Sequence, residues 1–525
     1  MGSGVLKTIV VLILLVALAF VAGSMAADGV KQAMVPSLLA LGVLVLLCLG
    51  HNCWILAFII PPFLSLLEFG GYKIPMAHLV SVVLLGYWLL MGVMGYTKIT
   101  WNKLPVIDFA VFIFVVYFLS TWFANPVKIN AFVNPITDEG YAQVGGAEYI
   151  WCLTALMTFI FISILPLTFE RLGVVLKWVV VFSIIAAFLA SVKTLISPQV
   201  NDAGERVALG EAIHGSRFSG FADLGNAICL LMFCKYSILG IICSPWKLAL
   251  CLAGGVGIAL SGFRSMILNV VILCALIQFY RRQFVTLIFC ALCAYAGVLG
   301  LSHAIPMERV PLGIKRVFSS VPGVDVKDKK LASAAQHSLD WRYQMWDWAM
   351  DSSKGYIKNY VWGDGFALDS REYRLERINI NRRKIDSGSN VLFAKRGVWH
   401  SGWVTAIHRL GYVGLTITVI FQLIVCVYVV RLCMNIRGVA NYEYFYFILI
   451  PIIPDIIILF HYSAGTYTTF FALFHKLSIM KLTYVLAVKE GIMSPMFSKQ
   501  KYVPMMLQEV EGAHRKSEED SALPA

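Results

Sequence analysis

Apolar runs of about 16 to 24 residues recur along almost the whole chain, and they limit its fold more than any other feature. They fall roughly at 5–22, 35–50, 53–68, 76–94, 106–124, 149–168, 174–196, 223–242, 246–261, 265–280, 284–301, 409–431, 442–460 and 466–488. A helix needs about 20 apolar residues to cross a bilayer, so each run is long enough or nearly so. In lipid, backbone polar groups must be satisfied within the segment, which leaves helices as the way to span. The composition agrees: 59% of the 525 residues are hydrophobic and only 14% charged, where soluble domains carry about 25%. These features predict an all-α polytopic membrane protein with about 12–14 transmembrane helices and one long extracytoplasmic loop. The expected order is transmembrane helices over 1–301, the loop at 302–408, further helices at 409–488 and a polar cytoplasmic tail from 489 to 525. The first run resembles a signal peptide in its small residues from Ala22 to Ala26, but it is long for one.

The net charge of +13 is spread over short loops between apolar runs and is no nucleic-acid footprint. Lys98, Lys103, Arg171, Lys177, Lys247, Arg281, Arg282, Arg431 and Arg437 all fall on one side of the expected topology. By the positive-inside rule that side is the cytoplasm. The twelve cysteines lie in or beside apolar runs, and none lies between His303 and Arg409. They read as small buried apolar residues, with no disulfide framework and no metal spacing.

The opposite side collects cations. Arg206, His214 and Arg217 precede one span, and Arg264 stands at a turn between two apolar runs. Arg342 and a series from Arg371 to Arg396 populate the long loop. Guanidinium groups hold phosphate oxygens through paired, charge-assisted hydrogen bonds, so an anionic ligand would account for them. Arg264 is either a phosphate clamp or an arginine that snorkels to the interface. Arg342 opens WRYQMWDWAM, whose Trp341, Met345 and Trp348 share a helix face. That face suits an amphipathic helix lying on the membrane, or a platform for sugar rings. Gly363-Asp364-Gly365 reads as a tight turn.

The loop ends in WHSGWVTAIHRLGYVGL, residues 399–415. His400 and Ser401 stand just ahead of the next span, and Gly411 and Gly414 are three apart inside it. Residues three apart share a helix face, so the two glycines make a smooth strip that another helix can approach closely. Cationic surroundings would favour a neutral imidazole at His400, the form a general base requires, though a histidine near a helix start also serves structure alone. Asp455 and His461 are intramembrane ionisable residues that could pair on one span. The chain contains no HExxH, Walker loop or Gly-x-Ser-x-Gly, and no acidic pair suggests a metal site.

Four patches together resemble the O-antigen ligase and O-antigen polymerase family, bacterial membrane glycosyltransferases that use polyprenyl-diphosphate-linked glycans. They are Arg217-x-x-Gly220 followed by Asn226, Ser261-Gly262-Phe263-Arg264, Arg342 with Trp346 followed by Gly363-x-Gly365, and His400-Ser401 with Gly411 and Gly414. They run in the family's order over roughly 200–415, although Leu224-Gly225 replaces its proline and no glycine follows Arg264.

The resemblance implies a GT-C-like fold in the bacterial cytoplasmic membrane and glycan transfer on its outer face, independent of metal and without a cofactor. It implies that Arg264 and Arg217 bind the donor diphosphate and that His400 accepts a proton from the acceptor hydroxyl. Arg342, Ser401 and Arg396 would contact substrate. The partners implied are the lipid-linked donor, a saccharide or lipid A core acceptor of lipopolysaccharide, and membrane lipids, with no nucleic acid. The competing expectation is a transporter or flippase for a lipid-linked or anionic substrate. Neither internal repeat halves nor paired broken helices are legible to support it.

Overall fold

The computed structural model describes residues 49–61, 66–69, 72–126, 143–144, 147–196, 199–200, 206–207, 219–261, 264–304, 329–369, 401–461 and 467–496, with isolated positions at 310–324 and 394–399. The protein is an all-α membrane protein. Its helices are α1 (Met76–Val93), α2 (Pro105–Ala124), α3 (Ala147–Ser163), α4 (Phe169–Ile196), α5 (Ser219–Lys235), α6 (Ile238–Ile242) and α7 (Pro245–Ser261). There follow α8 (Arg264–Tyr280), α9 (Phe284–Ala304), α10 (Lys329–Met350), α11 (Gly402–Asn435), α12 (Tyr442–Leu449), α13 (Ile452–His461) and α14 (Tyr467–Lys489). Strands are confined to three two-stranded antiparallel ladders among the described residues. One of them joins Gln143–Val144, ahead of α3, to Leu368–Asp369 in the long loop.

Among the described residues, five helices are long and apolar enough to cross a membrane: α2, α4, α9, α11 and α14. Shorter apolar helices occupy 77–93, 148–163, 245–261 and 266–280. The count falls below the expected one because those four runs form helices shorter than a span, 223–242 divides into α5 and α6, prolines interrupt two runs, and two more lie outside the described residues. The run at 53–68 is not a span. A helical stretch, 3-10 over Gly50–Ile55 and α over Leu56–Ile59, stops before Pro61, and Leu66–Phe69 then pairs with Tyr72–Pro75 in a hairpin. The run at 442–460 divides at Pro451 into α12 and α13. The stretch 246–280 forms two helices, α7 and α8, rather than one kinked rod. The runs at 5–22 and 35–50 and the tail beyond 496 lie outside the described residues, save Leu49 and Gly50.

The basic loops knit one end of the bundle. Arg281 donates to the carbonyls of Phe233 (2.9 Å) and Tyr236 (2.6 Å), satisfying the open C-terminal end of α5. Arg431 donates to the carbonyls of Ser494 and Pro495. Lys489 reaches Asn102 (2.7 Å), and Glu490 accepts from the backbone N–H of Phe169 (2.6 Å). Just inside this end, Lys481 is fully buried between α2 and α3, paired with Asp108 at 2.5 Å and donating to Ser163 at 2.8 Å.

Towards the other end the core is aromatic. Phe114 stacks on Phe421 at 5.4 Å and lies against Phe470, Phe471 and Phe474, joining α2, α11 and α14. Phe118, one turn further along α2, meets Phe366 of the long loop at 4.9 Å. A loop residue thus roots itself in the bundle.

Candidate functional site

A cleft of about 780 Å3 opens where α2 ends, where the 354–367 segment crosses it and where α11 begins. Its size suits a ligand of several rings. Asn125 caps the end of α2, Lys354, Lys358 and Asn359 stand on the turn, and Arg409 lines the α11 side.

The turn is built from its own side chains. Asn359 accepts the backbone N–H groups of Val361 and Trp362 through its side-chain oxygen, at 3.1 and 3.0 Å. Asp364 accepts those of Lys358 and Asn359 at 2.9 and 2.8 Å. These are the local bonds through which Asn and Asp favour turns. Phe366, 3% exposed, anchors the segment against Phe118 and Tyr149.

The turn docks into a break in α11. Gly411 adopts φ 68° and ψ −177°, so the helix is interrupted there. In an unbroken helix Tyr412 N–H would donate to His408 and Val413 N–H to Arg409. Instead these amides donate to the carbonyls of Tyr360 (2.8 Å) and Val361 (3.2 Å). The freed carbonyls of His408 and Arg409 accept from Asp364 N–H (2.7 Å) and Gly365 N–H (3.0 Å). Tyr117 of α2 donates its hydroxyl to the carbonyl of Leu410 at 2.6 Å. The break therefore leaves these groups paired, as burial requires.

Three titratable side chains meet at the break. Trp399 donates its indole N–H to Nδ1 of His408 at 2.9 Å, so Nδ1 holds a lone pair and the proton of the neutral ring sits on Nε2. Nε2 faces the Asp364 carboxylate at 3.5 Å. Arg409 donates to the Gly365 carbonyl at 3.0 Å, lies over the Phe366 ring at 5.6 Å, and is within electrostatic reach of Glu148 and Asp364.

No protein-family model matches this chain, and no curated protein does. Its relationships rest on its own residues.

Of the residues singled out in the sequence, Ser401 is the N-cap position of α11 and is 3% exposed; its hydroxyl makes no capping bond. Arg342 is half-buried on α10, and its Nε is buried without a hydrogen-bond partner. Arg264 opens α8. His400, Arg217 and Arg396 lie outside the described residues.

Two sequence expectations are corrected. Gly411 and Gly414 do not form a helical strip, because the chain is not helical at Gly411; Gly414 lies close to Tyr117 of α2, and Gly411 to the Val361 backbone of the turn. The α10 face bearing Met345 and Ala349 does not lie on lipid but packs on Trp399, Val404 and Ile407. Asp455 pairs with Lys476 of α14 at 2.7 Å, and the side chain of His461 lies outside the described residues.

Sequence reasoning passed over Asn125, Lys354, Lys358, Asn359, His408 and Arg409. A signal existed for two of them: His408 and Arg409 are adjacent ionisable residues in an otherwise apolar stretch, a placement that marks functional sites in membranes.

Proposed function

We propose that this chain is a glycosyltransferase that moves a glycan from a polyprenyl diphosphate donor to an acceptor sugar, on the outer face of a bacterial cytoplasmic membrane. The observation that carries the proposal is a meeting of two patches about 50 residues apart in the chain. Trp346 donates its indole N–H to the Trp399 carbonyl at 3.2 Å, and the Gly363 turn docks at Gly411. Both patches carry the resemblance to the ligase and polymerase family, and the cleft is lined by Gly363 and Gly365 of the first and by His408 and Arg409, which stand between Ser401 and Gly411 of the second. The cleft also lies at the end of α2 opposite Asp108 and the basic loops, where an extracytoplasmic site belongs.

In this proposal Arg217 and Arg264 hold the donor diphosphate and stabilise the charge that develops as it leaves. His400 takes the proton of the acceptor hydroxyl as it attacks the anomeric carbon. The cleft holds sugar: amides of Asn125 and Asn359, lysines and the Tyr356 and Trp362 rings offer both hydrogen bonds and stacking faces. Polymerase and ligase differ in the acceptor, a second lipid-linked unit or a lipid A core.

The break in α11 gives the transporter alternative its one structural argument, since broken helices build transporter sites. In transporters the freed backbone groups face the substrate; here they are bonded to the turn.

The test is purified protein in lipid nanodiscs with a synthetic polyprenyl-diphosphate oligosaccharide and an acceptor glycan. A new glycosidic bond, absent with His400→Ala, supports transfer. Movement of the lipid-linked glycan across a vesicle bilayer without any new bond would overturn it.

A further inference from the structure

Trp399 is fully buried and held at several points. Its carbonyl accepts from Trp346, its ring meets Tyr356 edge-on at 5.8 Å, and its indole N–H donates to His408. On the far side of that imidazole stands Asp364, whose carboxylate also closes the cleft turn through the N–H groups of Lys358 and Asn359. A continuous set of contacts thus runs from the cleft wall, through His408, to the residue peptide-bonded to His400. Ser401, bonded to His400 on its other side, is buried where α11 begins.

His408 is badly placed to act as a base itself. The lone pair on Nδ1 is engaged by Trp399, and Nε2 carries its proton towards a carboxylate. No free lone pair remains to take a proton from an acceptor hydroxyl. The charged and polar groups around the imidazole are Asp364 and Lys358 of the turn, Arg409 of its own helix and the Trp399 indole.

We propose that His408 is a positioning residue for the transfer reaction: it holds Trp399, the residue before His400 in the chain, to the Asp364 turn that lines the cleft. This rests on His400 being the base in the reaction proposed above.

The experiment uses full-length protein in nanodiscs with the same synthetic donor and acceptor. His408→Leu keeps bulk but cannot accept from Trp399. Trp399→Phe keeps the ring but cannot donate. His408→Asn places an amide oxygen close to the position of Nδ1 and can still accept.

Misplacement by a fraction of an ångström to an ångström costs up to about a hundredfold in rate. His408→Leu and Trp399→Phe are therefore expected to lose roughly tenfold to a hundredfold in kcat, with KM within about twofold. His408→Asn should recover to within about fivefold of wild type and keep the acid limb of the pH–kcat profile. Should His408→Leu fail to fold, the contrast between Trp399→Phe and His408→Asn carries the test.

Wild-type turnover in both His408→Leu and Trp399→Phe would overturn the proposal. So would a folded His408→Asn protein as inactive as His400→Ala, or one lacking the acid limb, since the imidazole would then itself do the chemistry. A fully active His400→Ala protein is a distinct failure: it removes the base on which both proposals stand.

Discussion

Gly411 and Val361 lie backbone against backbone: a Cβ built at position 411 falls on the Val361 carbonyl carbon and oxygen. Gly411 also sits at φ 68°, where a side chain is strained whatever the space. Gly411→Ala should therefore expel the turn from the break in α11. The left-handed backbone alone costs about 1 kcal/mol, and the collision adds to it. Thermal unfolding in detergent should shift clearly downward, and further than in Gly438→Ala, which carries the positive-φ cost but has open space around it.

Phe366→Ala tests the other anchor of the turn. The ring is nearly fully buried against Phe118 and Tyr149, and removing a buried phenylalanine costs about 3–5 kcal/mol. Limited proteolysis should then cut near residues 354–367 while α2 and α14 stay protected.

Asp364→Asn keeps the shape of the turn but replaces one acceptor oxygen with a donor that faces the N–H of Lys358, that of Asn359 or His408. The expected loss is about 1 kcal/mol, for hydrogen bonds lost at exposed backbone donors that water can still reach. Asp351→Asn, at an exposed turn close by, should be near neutral in the same melt.

At the opposite end, Lys481→Met removes the buried cation of an ion pair and leaves the half-buried Asp108 with only the Leu104 N–H and the Trp101 indole. A loss of about 3 kcal/mol is expected, and Lys481→Met with Asp108→Leu should recover most of it. A double-mutant cycle by thermal unfolding reads the coupling; additive losses would mean the pair is not coupled.

Much of the fold was legible because hydrophobic length is a strong signal. The helices from α1 to α4 and from α7 to α9 follow the apolar runs closely, whereas the run at 223–242 divides into α5 and α6. The errors have local causes. Pro61 and Pro62 ended a helix that apolar content alone would have continued, and Pro451 divided another. The α11 break was hidden because Gly411 reads equally well as a packing glycine, and only its partner, 50 residues earlier at Val361, decides between the two. The same non-local pairing concealed His408: its role depends on Trp399 and Asp364, which no periodicity connects. The Gly363-Asp364-Gly365 turn was readable as a turn, but not as the segment that completes a broken helix.

The most direct test of glycan transfer is made in cells. A deletion strain is complemented with wild type or His400→Ala, and its polyprenyl-linked intermediates are compared with its finished surface polysaccharide. His400→Ala should accumulate lipid-linked glycan and lose surface polysaccharide, with protein level and topology unchanged. Accumulated single repeat units would identify a polymerase, and accumulated long chains a ligase. Unchanged intermediate and surface pools in the deletion strain itself would contradict glycan transfer as the function of this chain.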